Sequence, residues 1–282
     1  MQITKTIKEI RTFRNSIQGT VGFVPTMGYL HKGHLSLIQL AKQENDHVIV
    51  SIFVNPKQFG PKEDFQTYPR DIKRDVALLR ESKVNIIFSP SVDELYPSNY
   101  QTYVHVEKIT KKLEGKSRPG HFIGVTTVVT KLFNIIQPTR VYFGQKDAQQ
   151  VIVIKKMVKD LNIPIEVIIG ETFREADGLA MSSRNVFLTD KERKEAGIIY
   201  KSLCLAKELF ENGERNTIKI KNKMKNLIHA TSGKIDYISI ADTQTLKELA
   251  KIKTEALVSL AIHFGNTRLI DNVYLKKQTT II

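Results

Sequence analysis

The sequence has a single cysteine, no tryptophan and no long apolar run. One cysteine excludes an intrachain disulfide framework and a zinc site built on cysteines. Cys204 lies in the amphipathic pattern KSLCLAKELF, where we expect a small buried side chain rather than a reactive thiol. No stretch approaches the roughly 18 apolar residues that a membrane span requires, and residues 1–13 lack a signal-peptide core. We therefore expect a cytoplasmic protein with no membrane partner.

Acidic side chains are outnumbered by basic ones, with 29 Asp and Glu against 43 Lys and Arg. A net charge of +14 favours polyanionic partners such as nucleic acid or nucleotides. The densest basic run, KIKNKMK at 219–225, contains no aromatic residue that could stack on a base. We interpret this run as a solvated helix face, and we expect small anionic substrates rather than a nucleic-acid partner.

Short β-branched runs alternate with amphipathic segments as far as Gly170. The predicted strands are VGFV (21–24), HVIVSIFV (47–54), VNIIFS (84–89), RVYFG (140–144) and PIEVIIG (164–170). This alternation predicts a parallel sheet wound with helices. After a polar stretch, helical patterns at about 190–212 and 216–230 precede closely spaced strands joined by turns such as Gly265-Asn266.

The predicted fold class is therefore α/β, in two domains. Residues 1–172 form a Rossmann-like, parallel-sheet domain that binds nucleotide and substrate. Residues 173–282 form a smaller α+β domain with a short antiparallel sheet, which we expect to act as a lid.

The stretch VPTMGYLHKGHLSL at 24–37 carries the strongest local signal. A strand, a turn at Pro25–Gly28 and a helix follow one another, and a helix N-terminus at the carboxyl end of such a strand favours an anion. His31 and His34 are three residues apart, so both imidazoles can face one phosphate-bearing ligand. The pair alone would also fit a helix cap or a metal site, although no third ligand stands at a recognisable spacing.

Two common nucleotide motifs are absent. Neither G-x-x-x-x-G-K-[ST] nor G-x-G-x-x-G occurs, which argues against a P-loop kinase and a dinucleotide dehydrogenase.

The H-x-G-H pattern in this position resembles the nucleotidylyltransferase superfamily, and PTMGYLHKGHLSL resembles the pantothenate synthetase family within it. Further blocks agree in order and approximate spacing: FVNPKQF (53–59), EDFQTYPRD (63–71), RPGHFIGVTTVVTKLFNIIQP (118–138), YFGQKDAQQ (142–150) and READGLAMSSRN (174–185). The resemblance spans residues 21–190. It implies an ATP-dependent ligase that condenses pantoate with β-alanine through a pantoyl adenylate, releasing pyrophosphate and AMP.

The resemblance also implies site residues. The catalytic residues would be His31, His34, Lys146, Ser182, Ser183 and Arg184. The ATP-binding residues would be Pro25, Thr26, Met27, Gly28, Gly33, Gly144, Gln145, Asp147, Phe173 and Met181. Gln58 and Gln150 would bind pantoate, and Gln58 would also contact β-alanine; an amide suits a substrate that carries hydroxyls and a carboxylate.

Mg²⁺ would accompany ATP, held mainly by phosphates and water, and no protein ligand for it is assigned. The family resemblance implies a homodimer. The alternative function is a nucleotidyltransferase that stops at a nucleotide-linked product. For His121, within RPGHFIG, a phosphate contact, a loop hydrogen bond and core packing all remain open, and we favour a structural role.

Overall fold

The computed structural model describes residues 1–61 and 63–277. The chain divides into two compact units, Met1–Thr172 and Phe173–Ile282. No helix within the described ranges is long and apolar enough to cross a bilayer.

The first unit is built on a parallel sheet that has six strands in the described part of the chain. In chain order they are β1 (Gln2–Thr4), β2 (Val21–Thr26), β3 (His47–Ile52), β4 (Ile86–Phe88), β5 (Arg140–Gly144) and β6 (Glu166–Gly170). Their order across the sheet is β1-β4-β3-β2-β5-β6. The strands that follow β2 lie first on one side of it and then, from β5 onward, on the other. The winding direction therefore reverses between β2 and β5, the position at which open α/β sheets bind ligands.

The β2 and β5 strands are paired for only a short distance. Their register ends at Phe23–Val141, whereas the β2–β3 ladder continues to Thr26–Ile52. The prediction that Pro25 and Thr26 belong to a turn is therefore wrong, because both extend β2 along β3. Proline is tolerated here because the side of β2 that faces β5 is no longer paired at this level. The carboxyl ends of β2 and β5 are not paired with each other, which leaves a crevice between them.

Helices cover both faces of this sheet. They are α1 (Ile7–Ser16), α2 (Lys32–Glu44), α3 (Ile72–Glu81), α4 (Val92–Leu95), α5 (Glu114–Ser117), α6 (His121–Ile136) and α7 (Ala148–Asp160). Successive strand residues point to opposite faces of the sheet and so belong to two apolar clusters. Phe23 and Val141 pack with α6 residues in one cluster, and Val24 and Tyr142 pack with α2 residues in the other. Because both faces are buried, the strands are continuous apolar runs rather than alternating ones.

The second unit packs helices against an antiparallel sheet. Its helices are α8 (Asp190–Ala196), α9 (Ile198–Glu211) and α10 (Thr217–Ile228), and its strands β7 (Lys234–Ala241), β8 (Glu255–Phe264) and β9 (Thr267–Lys276) are adjacent in chain order. Gly265, with φ of 53°, opens the tight turn between β8 and β9. The predicted fold class, a parallel α/β sheet followed by a small α+β part, is confirmed.

Two details of the second unit differ from the sequence prediction. The single helix expected at 190–212 is two helices, because Gly197 ends α8 and precedes α9 while it packs closely against Asp177. Cys204 is exposed, not buried. The buried stripe of α9 includes Ile199, Leu203 and Phe210, and Cys204 lies one position away from that stripe.

Candidate active site

The loop between β2 and α2 is shaped by backbone conformations that few residues adopt. Gly28 has φ of 80° and Tyr29 has φ of 50°, so two consecutive residues occupy the left-handed region. The Thr26 hydroxyl donates to Ser51 O at 2.7 Å and accepts from Gly28 N–H at 3.2 Å. These contacts turn the chain sharply from the end of β2 towards the first turn of α2.

A buried carboxylate from α3 holds this loop. Asp75 is 1% exposed and accepts the backbone N–H groups of Tyr29 and Leu30, each at 2.7 Å. Burial raises the pKa of the Asp75 carboxyl, and the two backbone hydrogen bonds oppose that rise. Sequence analysis missed Asp75. The available signal was a carboxylate four residues before Leu79 on the buried face of α3.

The two histidines of the motif meet at the start of α2. His31 is the N-cap and His34 lies in the first turn, with ring centroids 4.0 Å apart. The backbone N–H of His31 donates to His34 Nδ1 at 3.3 Å. Nδ1 is therefore an acceptor, and the proton of the neutral imidazole resides on Nε2. The fold thus presents His34 as an Nε2–H donor beside the free N–H groups of a helix N-terminus.

The surroundings keep His34 uncharged. Burial, followed by the charges of His31 and Lys146, lowers the pKa of His34 well below its usual value of 6.5. Lys146 comes from the other side of the crevice and is close enough to His34 for its charge to lower the pKa of that imidazole. His31, His34 and Lys146, predicted from separate motifs, are therefore brought together.

Lys146 belongs to a tight turn after β5. Gln145–Asp147 form a single 3-10 turn that leads into α7, and the Lys146 ammonium lies 3.7 Å from the Asp147 carboxylate. A Cβ placed on Gly144 would meet no protein atom within 4 Å. This open space beside the backbone is suited to close approach of a ligand. Gln150 follows in the first turn of α7 and is partly exposed.

Gln58 is tied to the histidine loop through Met27. Its Nε2 donates to Met27 Sδ at 3.1 Å, and its Oε1 accepts from Asn55 Nδ2 at 3.1 Å. Asn55 is 1% exposed and was not predicted from the sequence. Its side chain orients the Gln58 amide, so that both ends of that amide have a defined direction.

The predicted residues of the second unit form one local structure. Residues 174 and 180 pair across a short hairpin, and Arg174 donates to the buried Asp271 carboxylate at 2.6 and 3.1 Å. Beyond the hairpin, the Ser182 hydroxyl accepts from Arg184 N–H at 3.3 Å and caps a 3-10 helix at Ser183–Phe187. Ser182 therefore has a capping role of its own, whereas α8 is capped by Thr189.

The remaining members of this motif differ in exposure. Ser183 is buried, Phe173 is exposed, and Met181 N–H donates to Phe173 O at 2.9 Å. Arg193 from α8 anchors the hairpin through ion pairs of 2.6 Å with Glu175 and Asp177. The segment 174–185 is therefore held in place by ion pairs of Arg174 and Arg193 and is not a flexible linker.

A parallel sheet whose winding reverses beside a helix N-terminus that carries two imidazoles defines an α/β protein with an anion-binding crevice at the reversal point. The family model "Pantoate-beta-alanine ligase" matches residues 2–274. The chain belongs to the pantoate–β-alanine ligase family.

Individual relatives agree with this assignment. The chain is 54% identical to the pantothenate synthetase of Fervidobacterium nodosum over 278 residues, covering 98% of this chain and 99% of that protein. It is also 54% identical to the pantothenate synthetase of Acetivibrio thermocellus over 281 residues, covering 98% of this chain and all of that protein.

Solved structures give the same result. The pantothenate synthetase of Thermus thermophilus superposes with a TM-score of 0.93 at 45% identity, covering 97% of this chain and 99% of that one. The pantoate-β-alanine ligase of Francisella tularensis, complexed with β-γ ATP and β-alanine, superposes with a TM-score of 0.80 at 40% identity, covering 97% of each chain.

Proposed function

We propose that this protein condenses pantoate with β-alanine at the expense of ATP, forming pantothenate, AMP and pyrophosphate. Family membership supports the reaction. The particular residues are supported by one observation: His31, His34 and Lys146 all lie at the point where the winding of the sheet reverses.

The first step activates the acid. An oxygen of the pantoate carboxylate forms a bond to the α-phosphorus of ATP, and the bond from that phosphorus to the bridging oxygen of pyrophosphate breaks. Pyrophosphate leaves with the additional negative charge. The Nε2–H of His34, the Lys146 ammonium and the free N–H groups of α2 are the donors available to stabilise that charge.

The second step forms the amide. The unprotonated amine of β-alanine attacks the acyl carbon of pantoyl adenylate, the carbon–oxygen bond to AMP breaks, and a proton from nitrogen passes to solvent. Adenylation makes this possible because a free carboxylate oxygen is a poor leaving group. In our proposal, Gln58 and Gln150 hold pantoate through both steps.

His34 acts as a hydrogen-bond donor rather than as a charged acid in the free protein. Its lowered pKa leaves it neutral at pH 7. An incoming polyphosphate supplies negative charge that favours protonation, so binding itself raises the pKa. Bound polyphosphate therefore opposes the lowering of the His34 pKa by His31 and Lys146.

We retain the other sequence-derived roles as proposals. Pro25, Thr26, Met27, Gly28, Gly33, Gly144, Gln145, Asp147, Phe173 and Met181 are proposed to contact ATP. Ser182, Ser183 and Arg184 are proposed to bind phosphate oxygens, which suits two hydroxyls and a guanidinium. A homodimer and a cytoplasmic location are likewise proposed.

Mg²⁺ is proposed as the companion of ATP. Among the described residues no group of three or more His, Cys, Asp or Glu could hold a metal. Asp147, whose carboxylate lies 3.7 Å from the Lys146 ammonium, offers an anionic oxygen, the donor that Mg²⁺ prefers. These residues fit an ion held largely by phosphates and water, which would neutralise phosphate charge when bound.

Product analysis tests the reaction. Protein, ATP, Mg²⁺ and pantoate are mixed with or without β-alanine, and products are followed by mass spectrometry. We expect pyrophosphate and pantoyl adenylate without β-alanine, and AMP and pantothenate with it. A nucleotide-linked product that persists after β-alanine is added would instead identify a nucleotidyltransferase that stops at that stage.

A further inference from the structure

The main chain of Gln58, like its side chain, is held by polar contacts. The Gln58 carbonyl oxygen lies 2.8 Å from His121 Nδ1 and 3.3 Å from Arg118 Nη2. A carbonyl only accepts hydrogen bonds, so His121 Nδ1 carries a proton and donates it. Two donors from one short segment therefore converge on a single peptide group.

The opposite nitrogen of His121 is also engaged. Its Nε2 lies 3.3 Å from Arg118 Nη1, a group that only donates, so Nε2 accepts. His121 is therefore a neutral imidazole with the proton on Nδ1. Burial, together with the charge of Arg118, lowers its pKa to about 4, in agreement with this assignment. Both ring nitrogens are used by protein groups, which leaves none for a phosphate.

Arg118 is itself oriented by a carboxylate. Its Nε and Nη2 donate to the two oxygens of Glu63 at 2.8 and 2.6 Å, in the fork-to-fork geometry that fixes a guanidinium plane. The two side chains are 17% and 24% exposed. This partial burial reduces screening by solvent, so the pair holds its geometry better than an exposed one.

The helix that carries His121 lies directly against the Gln58 segment. A Cβ on Gly124, in the first turn of α6, would collide with Lys57 O and Gln58 N. Gly124 O also accepts from Asn55 Nδ2 at 3.1 Å, the same group that orients the Gln58 amide. The start of α6 is therefore a platform for both the main chain and the side chain of Gln58.

We propose that His121, supported by the Arg118–Glu63 pair, is a positioning residue that fixes the Gln58 peptide so that its amide binds pantoate. This inference rests on the proposed function of Gln58. His121 acts through Gln58 and does not touch the substrate.

Replacing His121 by an amide side chain tests whether the hydrogen bond from Nδ1, rather than the imidazole ring itself, is what matters. In His121→Asn the amide nitrogen can occupy the place of Nδ1, whereas in His121→Gln it reaches the place of Nε2; His121→Leu supplies neither. We expect His121→Leu and His121→Gln to raise the KM for pantoate at least tenfold while the KM for ATP stays within about twofold. His121→Asn should stay within about threefold of the wild type in both. Exposed His105 gives the matched control, and His105→Leu should change neither constant.

The outcomes are distinct. A folded His121→Leu protein with an unchanged KM for pantoate, or equal effects of Leu and Asn, would overturn the positioning role. If His121→Leu does not fold, Arg118→Lys keeps the charge but loses the fork, and it should raise the KM for pantoate selectively; a normal value would overturn the proposal. Wild-type protein that releases no pyrophosphate with pantoate and ATP would instead refute the proposed function.

Discussion

The Asp75 carboxylate accepts a hydrogen bond of 2.7 Å from the backbone N–H of Leu30, a residue 45 positions earlier in the chain. Its other oxygen accepts from the neighbouring N–H at the same distance. Removing this acceptor leaves one buried and one partly buried donor without it, and a buried unsatisfied donor costs about 1–3 kcal/mol. The loop that precedes His31 and His34 depends on this one side chain.

We predict that Asp75→Ala lowers the free energy of unfolding by about 2–4 kcal/mol and slows pyrophosphate release. Urea denaturation and a pyrophosphate assay measure the two effects. Asp71, the exposed N-cap of α3, provides the control: Asp71→Ala should cost only about 1 kcal/mol and leave the rate unchanged. Equal effects of the two substitutions would show that Asp75 is an ordinary helix residue.

His34→Ala should lower the rate of pantoate-dependent pyrophosphate release by about 10²-fold or more, because it removes a preorganised donor at a developing charge. His34→Gln can place an amide N–H where Nε2 lies and should retain more activity than His34→Asn, which cannot reach that position. Rapid-quench measurement of adenylation checks the order. An alanine variant with wild-type rate would remove His34 from the chemistry.

The protonation of His34 should respond to ligand more than to pH. Burial and the charges of His31 and Lys146 lower its pKa, so free His34 stays neutral as the pH falls through 6.5. Because the unfolded state takes up the proton at a higher pH than the folded state, His34 lowers the free energy of unfolding as the pH falls below about 6.5 and has no such effect well above that pH.

Pyrophosphate should raise the pKa of His34, and so should Lys146→Met, which removes a neighbouring positive charge. Nitrogen-15 NMR of the imidazole follows both changes. Titration of free wild-type His34 near 6.5 would contradict the expectation, as would a pKa unaffected by the Lys146 substitution.

Two glycines of the candidate ATP site should behave differently when replaced by alanine. Gly28 has φ of 80°, and a Cβ there would lie 3.0 Å from Asp75 Oδ2 and Ile52 Cγ2, so Gly28→Ala should cost about 1–2 kcal/mol of stability. Gly144→Ala meets no protein atom and should leave stability nearly unchanged while it raises the KM for ATP. Thermal unfolding and ATP kinetics distinguish them. A stable Gly28→Ala protein would contradict the strained-turn account.

Substitutions of the two adjacent glutamines on α7 should have different effects. Gln149 is buried, and its amide contacts the backbone of Ile109, Lys112 and Glu114. Gln149→Ala should therefore lower stability, whereas Gln150→Ala should mainly raise the KM for pantoate. Calorimetry and steady-state kinetics measure the two. A normal KM for pantoate in Gln150→Ala would exclude it from the substrate site.

Local patterns were sufficient for the strand and helix on either side of the loop that leads to His31 and His34, although the strand continues through Pro25 and Thr26, which were predicted as turn. The alternation of strands and helices also placed Lys146 at the same edge of the sheet. The helical spacing from Leu79 could have indicated that Asp75 is buried, but its role could not be assigned, because its partners lie 45 and 46 positions away. The exposure of Cys204 was missed because a shift of one residue moves a helical side chain by about 100°.

The ion pair between Arg174 and Asp271 spans nearly the whole second unit in sequence. Asp271 lies in β9, 97 positions after Arg174. A nascent chain that lacks this strand holds the hairpin at 174–180 through the ion pairs of Arg193 with Glu175 and Asp177, but without the anchor at Asp271. The second unit can therefore be completed only after β9 has been synthesised, and truncation before position 271 removes the anchor together with the later half of β9.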